Sequence, residues 1–318
     1  MKTLLIGASA LALYATAALA EYPERAIEVT IPAPAGGGTD TSARKLATLL
    51  EEELGTSIAI LNVAGGGGSV GVTQFMMDKP TGYSLLATWN SPITTVPQVQ
   101  NVAYDVDSFT PIASTSETAY TMCVSPDFPA ETGEAFLAEL AANPGKYTYG
   151  NDGIGGTMQM AAERIFQARG IETVAIPFGG AGETLQNFLG GHVDIYGGSI
   201  SPVLPYTESG EAKCLIVTSA AAVEALPQAA GLEELGLGAE ETLLWRMVLA
   251  PAGLDQAIAD RLAAALETTV NDPSYVEFLA TKGEVPNVVT GEALAERLRN
   301  EYDALAKVAA ALGNAGIS

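Results

Sequence analysis

Histidine is all but missing from this chain: His192 stands alone among 318 residues. A metal centre built on imidazoles needs two or three of them, so that class of site is nearly excluded. Cysteine is almost as scarce, with Cys123 and Cys214 only. Their separation rules out a CxxC redox or zinc motif. It leaves one disulfide open, provided that the segments carrying the two thiols pair as antiparallel strands, because a one-residue slip in register turns one thiol to the other face. Cations are few as well, 15 lysines and arginines against 37 acidic residues, for a formal net charge of −22. Such a surface repels phosphate backbones and anionic lipid, which makes nucleic acid and membrane surfaces poor partners. Past the first twenty residues no stretch is apolar over the ~20 positions that a spanning helix requires. Those first twenty have the layout of a secretory leader. Lys2 supplies the charged start, Leu4 to Ala17 the apolar middle, and Ala18-Leu19-Ala20 the small-x-small cleavage site. Residues 1–20 are therefore expected to be removed, leaving an exported chain that starts at Glu21 and, without Lys2, moves from −22 to −23.

What the chain has in quantity is glycine, 34 residues, gathered where apolar runs give way to amphipathic ones. The first such joint organises the reading. The strand-like Ile27-Glu28-Val29-Thr30-Ile31 breaks into Pro32-Ala33-Pro34-Ala35-Gly36-Gly37-Gly38-Thr39-Asp40 and resumes as a helix from Thr41 to Leu54, with Thr39 or Asp40 as its N-cap. Glycines bring a ligand close to backbone N–H groups, and the unpaired first-turn N–H groups and the helix dipole favour an anion there. A single joint of this kind is more often a plain turn than a binding site, so its repetition carries the weight.

Ser57 to Val63 reads as a second strand and completes a β-α-β unit. The glycine-rich Ala64 to Gly71 follows, then a helix-like stretch from Val72 to Asp78 and a third strand, Tyr83 to Thr88, ending in Trp89-Asn90-Ser91. After the extended Thr118 to Ser125 the alternation starts afresh. The strand Lys146 to Tyr149, the glycine loop Gly150 to Gly156 and a helix capped by Thr157 repeat the first joint. Thr173 to Ile176, Val193 to Tyr196 and Cys214 to Thr218 are further strands, the last apolar enough to be covered on both faces. From Leu243 the chain turns apolar again and closes with three amphipathic packing helices, in one of which Leu262, Leu266 and Val270 share a face. Two α/β halves with facing glycine loops predict a bilobed molecule with a cleft. The expected division is residues 21–120 with 219–318 as one lobe and 121–218 as the other, hinged near Ala119 to Ser125 and Lys213 to Ser219.

Two enzyme motifs occur by spacing. Gly66-x-Gly68-x-x-Gly71 fits the dinucleotide fingerprint, but Trp89-Asn90-Ser91 stands where the acidic ribose ligand belongs. Gly67-x-Ser69-x-Gly71 fits a nucleophile elbow, with His192 downstream, and makes a secreted serine hydrolase the competing reading. Four glycines separate Ser69 from the preceding strand, which argues against the strained turn that an elbow needs. A binder acting as a sensor, with no transport partner, is a third reading.

The motifs YPERAIEVTIPAPAGGGTD, LNVAGGGGSVG, KPTGYSLLA, NPGKYTYGNDGIGGTMQMAAE, IPFGGAGETLQNFLGGHVDIYGGS, CLIVTS and MVLAPAGL, in that order, resemble the extracytoplasmic solute receptors of the tripartite tricarboxylate transporter family over nearly the whole mature chain. The resemblance implies the α/β, type II periplasmic binding protein-like fold, two α/β domains with a ligand cleft between them. It implies a non-enzymatic receptor without cofactor or metal, monomeric, that closes on a small organic carboxylate and passes it to integral membrane permease subunits. Carried over by motif, one wall of the cleft is Ala35, Gly36, Gly37, Gly38, Thr39 and Asp40 with Asn90 and Ser91. The facing wall is Asn151, Gly156 and Thr157, then Phe178, Gly179 and Gly180, then Tyr196, Gly198 and Ser199. These loops offer N–H donors and hydroxyls but almost no cation, so two helix N-termini are expected to hold a carboxylate without requiring an arginine clamp. Bulky residues at Gly38 or Gly156 are expected to block binding while sparing the unliganded fold. Ala33 stands where the family commonly has an aromatic residue, and Gly197 and Gly198 where it has an acidic or amide one. The ligand is expected to be a di- or tricarboxylate. Trp89, Phe178, Tyr196 and Trp245 near strand ends make an aromatic acid a variant of that expectation.

Overall fold

Four of the five residues of the first strand, Ile27–Ile31, are buried, as a strand covered on both faces requires. The computed structural model describes residues 22–314, and the leader expected at residues 1–20 lies outside the described residues. In chain order the elements are β1 (Ile27–Ile31), α1 (Gly38–Leu54), β2 (Ile58–Asn62), α2 (Ser69–Phe75), β3 (Ser84–Trp89), α3 (Ser91–Thr94), α4 (Val96–Val99) and β4 (Phe109–Val124). They continue as α5 (Gly133–Ala142), β5 (Thr148–Asn151), α6 (Thr157–Arg169), β6 (Val174–Pro177), α7 (Ala181–Leu189), β7 (Ile195–Ser199), α8 (Ile200–Glu208) and β8 (Lys213–Val217). The chain closes with β9 (Leu243–Pro251), α9 (Gln256–Val270), α10 (Pro273–Ala280), β10 (Val285–Pro286) and α11 (Gly291–Asn314).

The strands run β2-β1-β3-β9-β4-β7-β5-β6, with β8 and β10 also on β4. Parallel β1, β2 and β3 meet the antiparallel β9 at Leu86↔Leu249 through Trp89↔Arg246. Strand β4 then serves both halves. Its Phe109–Ala119 stretch pairs with β9, and from Tyr120 onward it pairs with β7 and β8. The sixteen-residue β4 is longer than the extended segment expected at Thr118 to Ser125, because its first half reads as polar. Ser114 and Ser116 are nevertheless buried, their hydroxyls bonded to the Asn287 carbonyl and to Glu284. Satisfied hydroxyls sit in a core without the penalty that would keep them at the surface.

Each half has its own apolar core. In the first, Ile27, Ile31, Leu46, Leu50, Leu85, Leu262, Leu266 and Val270 pack together, which bears out the buried face expected of α9. In the second, Phe136, Leu140, Tyr149, Met158, Ile165, Phe166 and Ile216 do so. Fully burying one such side chain contributes about 1.5 to 3 kcal/mol, so either cluster holds its half together. A small third cluster joins the halves: Met160 of α6 packs on Leu305, Val308 and Ala309 of α11. Cys123 and Cys214 lie directly opposite each other on β4 and β8 and are joined by a disulfide with Cα atoms 3.8 Å apart. A register shift between Met122 and Cys123 in the antiparallel pairing sets the two cysteines opposite each other.

Candidate ligand site

The loop from Ala35 to Gly38 is exposed, and it delivers the chain into α1 three residues earlier than the sequence suggests. Gly37, in extended conformation, is the N-cap, and no side chain caps the helix. Thr39 and Asp40 are instead in its first turn and buried. The Asp40 carboxylate is engaged in bracing the loop. It accepts the Gly36 N–H at 2.8 Å, Arg44 Nε at 3.0 Å and Asn62 Nδ2 at 2.8 Å. Burial raises its pKa, but these hydrogen bonds outweigh burial and hold it below the ordinary carboxylate range. Asp40 is thus a brace rather than a donor wall for an anion. The backbone N–H groups of Gly38, Thr39 and Asp40 have no partner among the described residues. They form an open helix N-terminus at an exposed loop.

The second joint is built differently. Gly156, not Thr157, is the N-cap of α6, and the Asp152 carboxylate folds over that end. It accepts the N–H groups of Met158 at 3.1 Å and of Gln159 at 3.4 Å. Tyr120 donates its hydroxyl to the same carboxylate at 3.3 Å. Burial outweighs these bonds and leaves the Asp152 pKa raised. The expectation that both helix N-termini face the ligand is therefore corrected, because α6 already carries an internal anion. A Cβ on Gly156 would lie 2.2 Å from Asp152 Oδ1, so a side chain there disturbs the unliganded fold, contrary to the expectation for this glycine.

Asn90 and Ser91 follow β3, as N-cap and first residue of α3, and are buried where they touch the other half directly. Ser91 Oγ donates to the Gly155 carbonyl at 3.1 Å, and Thr157 Oγ1 reaches Asn90 Oδ1 at 3.5 Å. The Asn90 amide also donates to the Leu243 carbonyl and to Glu301 of α11. Glu301, which Thr94 and Trp245 also contact as donors, has its pKa raised by burial despite those bonds. Helix α11, expected only to pack, positions Asn90.

Among the remaining predicted residues, Asn151, Phe178 and Gly180 form one group. The Asn151 carbonyl accepts the N–H of Phe178 and the hydroxyl of Thr184, which in turn bonds the Gly180 carbonyl. Asn151 Nδ2 is buried with no partner, an orphan donor whose desolvation costs about 1 to 3 kcal/mol unless something accepts from it. The Gly179 N–H is taken by Glu183. Tyr196 is fully buried, bonded to the Ser199 carbonyl, and its ring fills the space over Gly198. These three are engaged internally and stand apart from the Asn90, Ser91 and Thr157 contact.

Sequence reasoning missed Arg246. It lies in β9 beneath the first loop, 2.9 Å from where a Gly38 Cβ would stand, and it pairs with Glu284 and bonds Thr39 Oγ1 at 3.3 Å. The signal was present: a single arginine within the apolar LLWRMVLAP of β9 cannot be buried unpaired. The hydrolase reading loses its geometry. Ser69 opens α2 against β1 and β3, while His192 is exposed in the turn before β7 in the other half, and no bond joins them. Among the described residues no cluster of His, Cys, Asp and Glu could hold a metal, and no helix is long and apolar enough to cross a membrane.

Comparison with known proteins agrees with this architecture. The UPF0065 protein in the TAR-I ttuE-ttuC' intergenic region of Agrobacterium vitis is 28% identical over 92% of this chain and 86% of its own. The periplasmic binding protein BugD superposes with a TM-score of 0.79 at 28% identity, covering 93% of this chain and 99% of BugD. MatC from Rhodopseudomonas palustris with bound malate, at 23% identity and a TM-score of 0.79 over 91% of this chain and 100% of MatC, shares the fold. The model of the tripartite tricarboxylate transporter family receptor matches residues 42–308, and the chain belongs to that family.

Proposed function

We propose that the chain captures a small organic acid, a di- or tricarboxylate, between its two lobes and hands it to integral membrane permease subunits after export through the leader at residues 1–20. The observation that carries this is the open N-terminus of α1, whose first-turn N–H groups, on Gly38, Thr39 and Asp40, have no partner among the described residues and adjoin the exposed loop Ala35 to Gly38. A carboxylate satisfies such donors and gains from the helix dipole, and at physiological ionic strength the net charge of the chain is screened beyond ~8 Å. The orphan amide of Asn151 supports a second acceptor contact from the other lobe. The lobe division, 21–120 with 219–318 and 121–218, belongs to the same reading. An aromatic acid is the variant that Phe178, beside Asn151, supports.

The test is a thermal-shift screen of the mature protein against carboxylates, with malate and adipate among them and neutral sugars and amines as controls. A ligand at 100 times its dissociation constant adds about 2.7 kcal/mol to stability. Shifts confined to sugars or amines would end the carboxylate reading.

A further inference from the structure

Arg246 is only 6% exposed, yet its guanidinium is incompletely engaged. Nη1 meets Glu284 and Nε meets Thr39 Oγ1, while Nη2 makes no hydrogen bond among the described residues. That free edge lies against the loop, 2.9 Å from the position of a Gly38 Cβ, so the lack of a side chain at Gly38 is what lets the guanidinium approach the loop this closely. The same turn of backbone presents the unpaired N–H groups of Gly38 and Thr39. We propose that Arg246 is the specificity-determining cation of the lobe-one carboxylate seat: Nη2 takes one carboxylate oxygen and the α1 N-terminus the other. This rests on the carboxylate reading above and deepens it.

A guanidinium offers five N–H donors in a fixed fork, so pairing two of its edges with Glu284 and Thr39 orients the third rather than exhausting it. Burial of the ring of donors means that the charge is not dispersed into water, which strengthens its pull on an anion at the mouth. Glu284, held in place by Ser116 Oγ at 3.0 Å, balances the charge in the empty site. The seat is then neutral without ligand and becomes a triad of carboxylate, guanidinium and carboxylate with it. A neutral amide or alcohol in the same seat gains only the helix N-terminus, so Arg246 separates acids from their amides.

Two variants test this. Arg246→Met with Glu284→Gln removes both charges while Gln keeps the acceptor for Ser116, and replacing a buried ion pair with groups of similar volume is often neutral for folding. Glu284→Gln alone leaves Arg246 uncompensated. Titration calorimetry is run on the mature wild-type protein and both variants with malate, adipate and their amides, alongside unliganded melting curves. The expected result is affinity for the acid lowered about ten- to hundredfold in the double variant, the range for loss of a charge-assisted hydrogen bond, with discrimination against the amide lost. Glu284→Gln is expected to tighten acid binding by roughly three- to tenfold. Unchanged acid affinity and unchanged acid-to-amide discrimination in a double variant that melts like wild type would overturn the role of Arg246 and leave the proposed function standing. Failure of the wild type to bind any acid would overturn the proposed function and this inference together.

Discussion

At the scale of single residues, the site is a set of buried polar groups whose partners decide what each can still do. Asp40 is the clearest case. Its pKa is depressed by Arg44, the Gly36 N–H and Asn62 against the effect of burial, so its contribution to stability is fully present above the unfolded value near ~3.9 and is lost as pH falls through the lower folded value. Asp40→Asn should therefore cost about 1 to 2 kcal/mol at pH 7. The gap from wild type should close below about pH 4 in urea titrations run across pH. A gap that persists unchanged in acid would show that the carboxylate charge is not what braces the loop. Gly38 belongs to this scale too. Its backbone lies outside the left-handed region, since it is absent from the positive-φ glycines, and a Cβ there meets the far end of the flexible Arg246 side chain. Gly38→Ala should leave the unliganded melting temperature within a few degrees of wild type while weakening acid binding, and equal binding would remove Gly38 from the site. Gly156, with Asp152 against it, offers no such clean separation.

At the scale of elements, β9 and β4 do most of the positioning. Successive side chains of a strand point to opposite faces, so β9 sends Trp245 towards Glu301 and Arg297 of α11 and sends Arg246 towards α1 and Glu284. One strand thereby supports both the Asn90 contact and the first loop. Strand β4 changes partners between Ala119 and Tyr120, and Thr218 braces that change by accepting the Tyr120 N–H and donating to the Thr242 carbonyl. The disulfide closes a loop between positions 91 apart on β4 and β8. A cross-link over that span restricts the unfolded chain enough to stabilise the fold by about 2 to 4 kcal/mol. The paired substitution Cys123→Ala with Cys214→Ala should lower the urea midpoint accordingly. Mass spectrometry of unreduced protein should find no free thiol, and two free thiols together with an unchanged midpoint would sink this reading.

At the scale of the whole molecule, the two halves are joined by β4, by the Thr218 to Thr242 return and by α11, while Ser91, Thr157 and Asn90 bridge them directly. Closure about the first two links is the expected response to ligand, so the radius of gyration from small-angle scattering should fall at saturating acid. An unchanged radius would count against a hinge. The order of strand, glycine loop and helix, the fold class and the family were all legible in the chain, because they rest on local periodicity, glycine placement and motif order, which survive without knowledge of contacts. The apolar faces of β1 and α9 were legible for the same reason. The first half of β4 was not, since its serines and threonines read as surface until Asn287 and Glu284 bond them. Nor was the division of labour among the site residues. Sequence determined that two glycine joints exist; tertiary structure alone decided that Asp152 fills one and leaves the other open. It also decided that Arg246, more than 200 positions beyond Gly38, lies against that open joint. The physical reason is that a buried charge takes its role from whichever partners the fold brings within hydrogen-bond reach, and those partners come from distant segments.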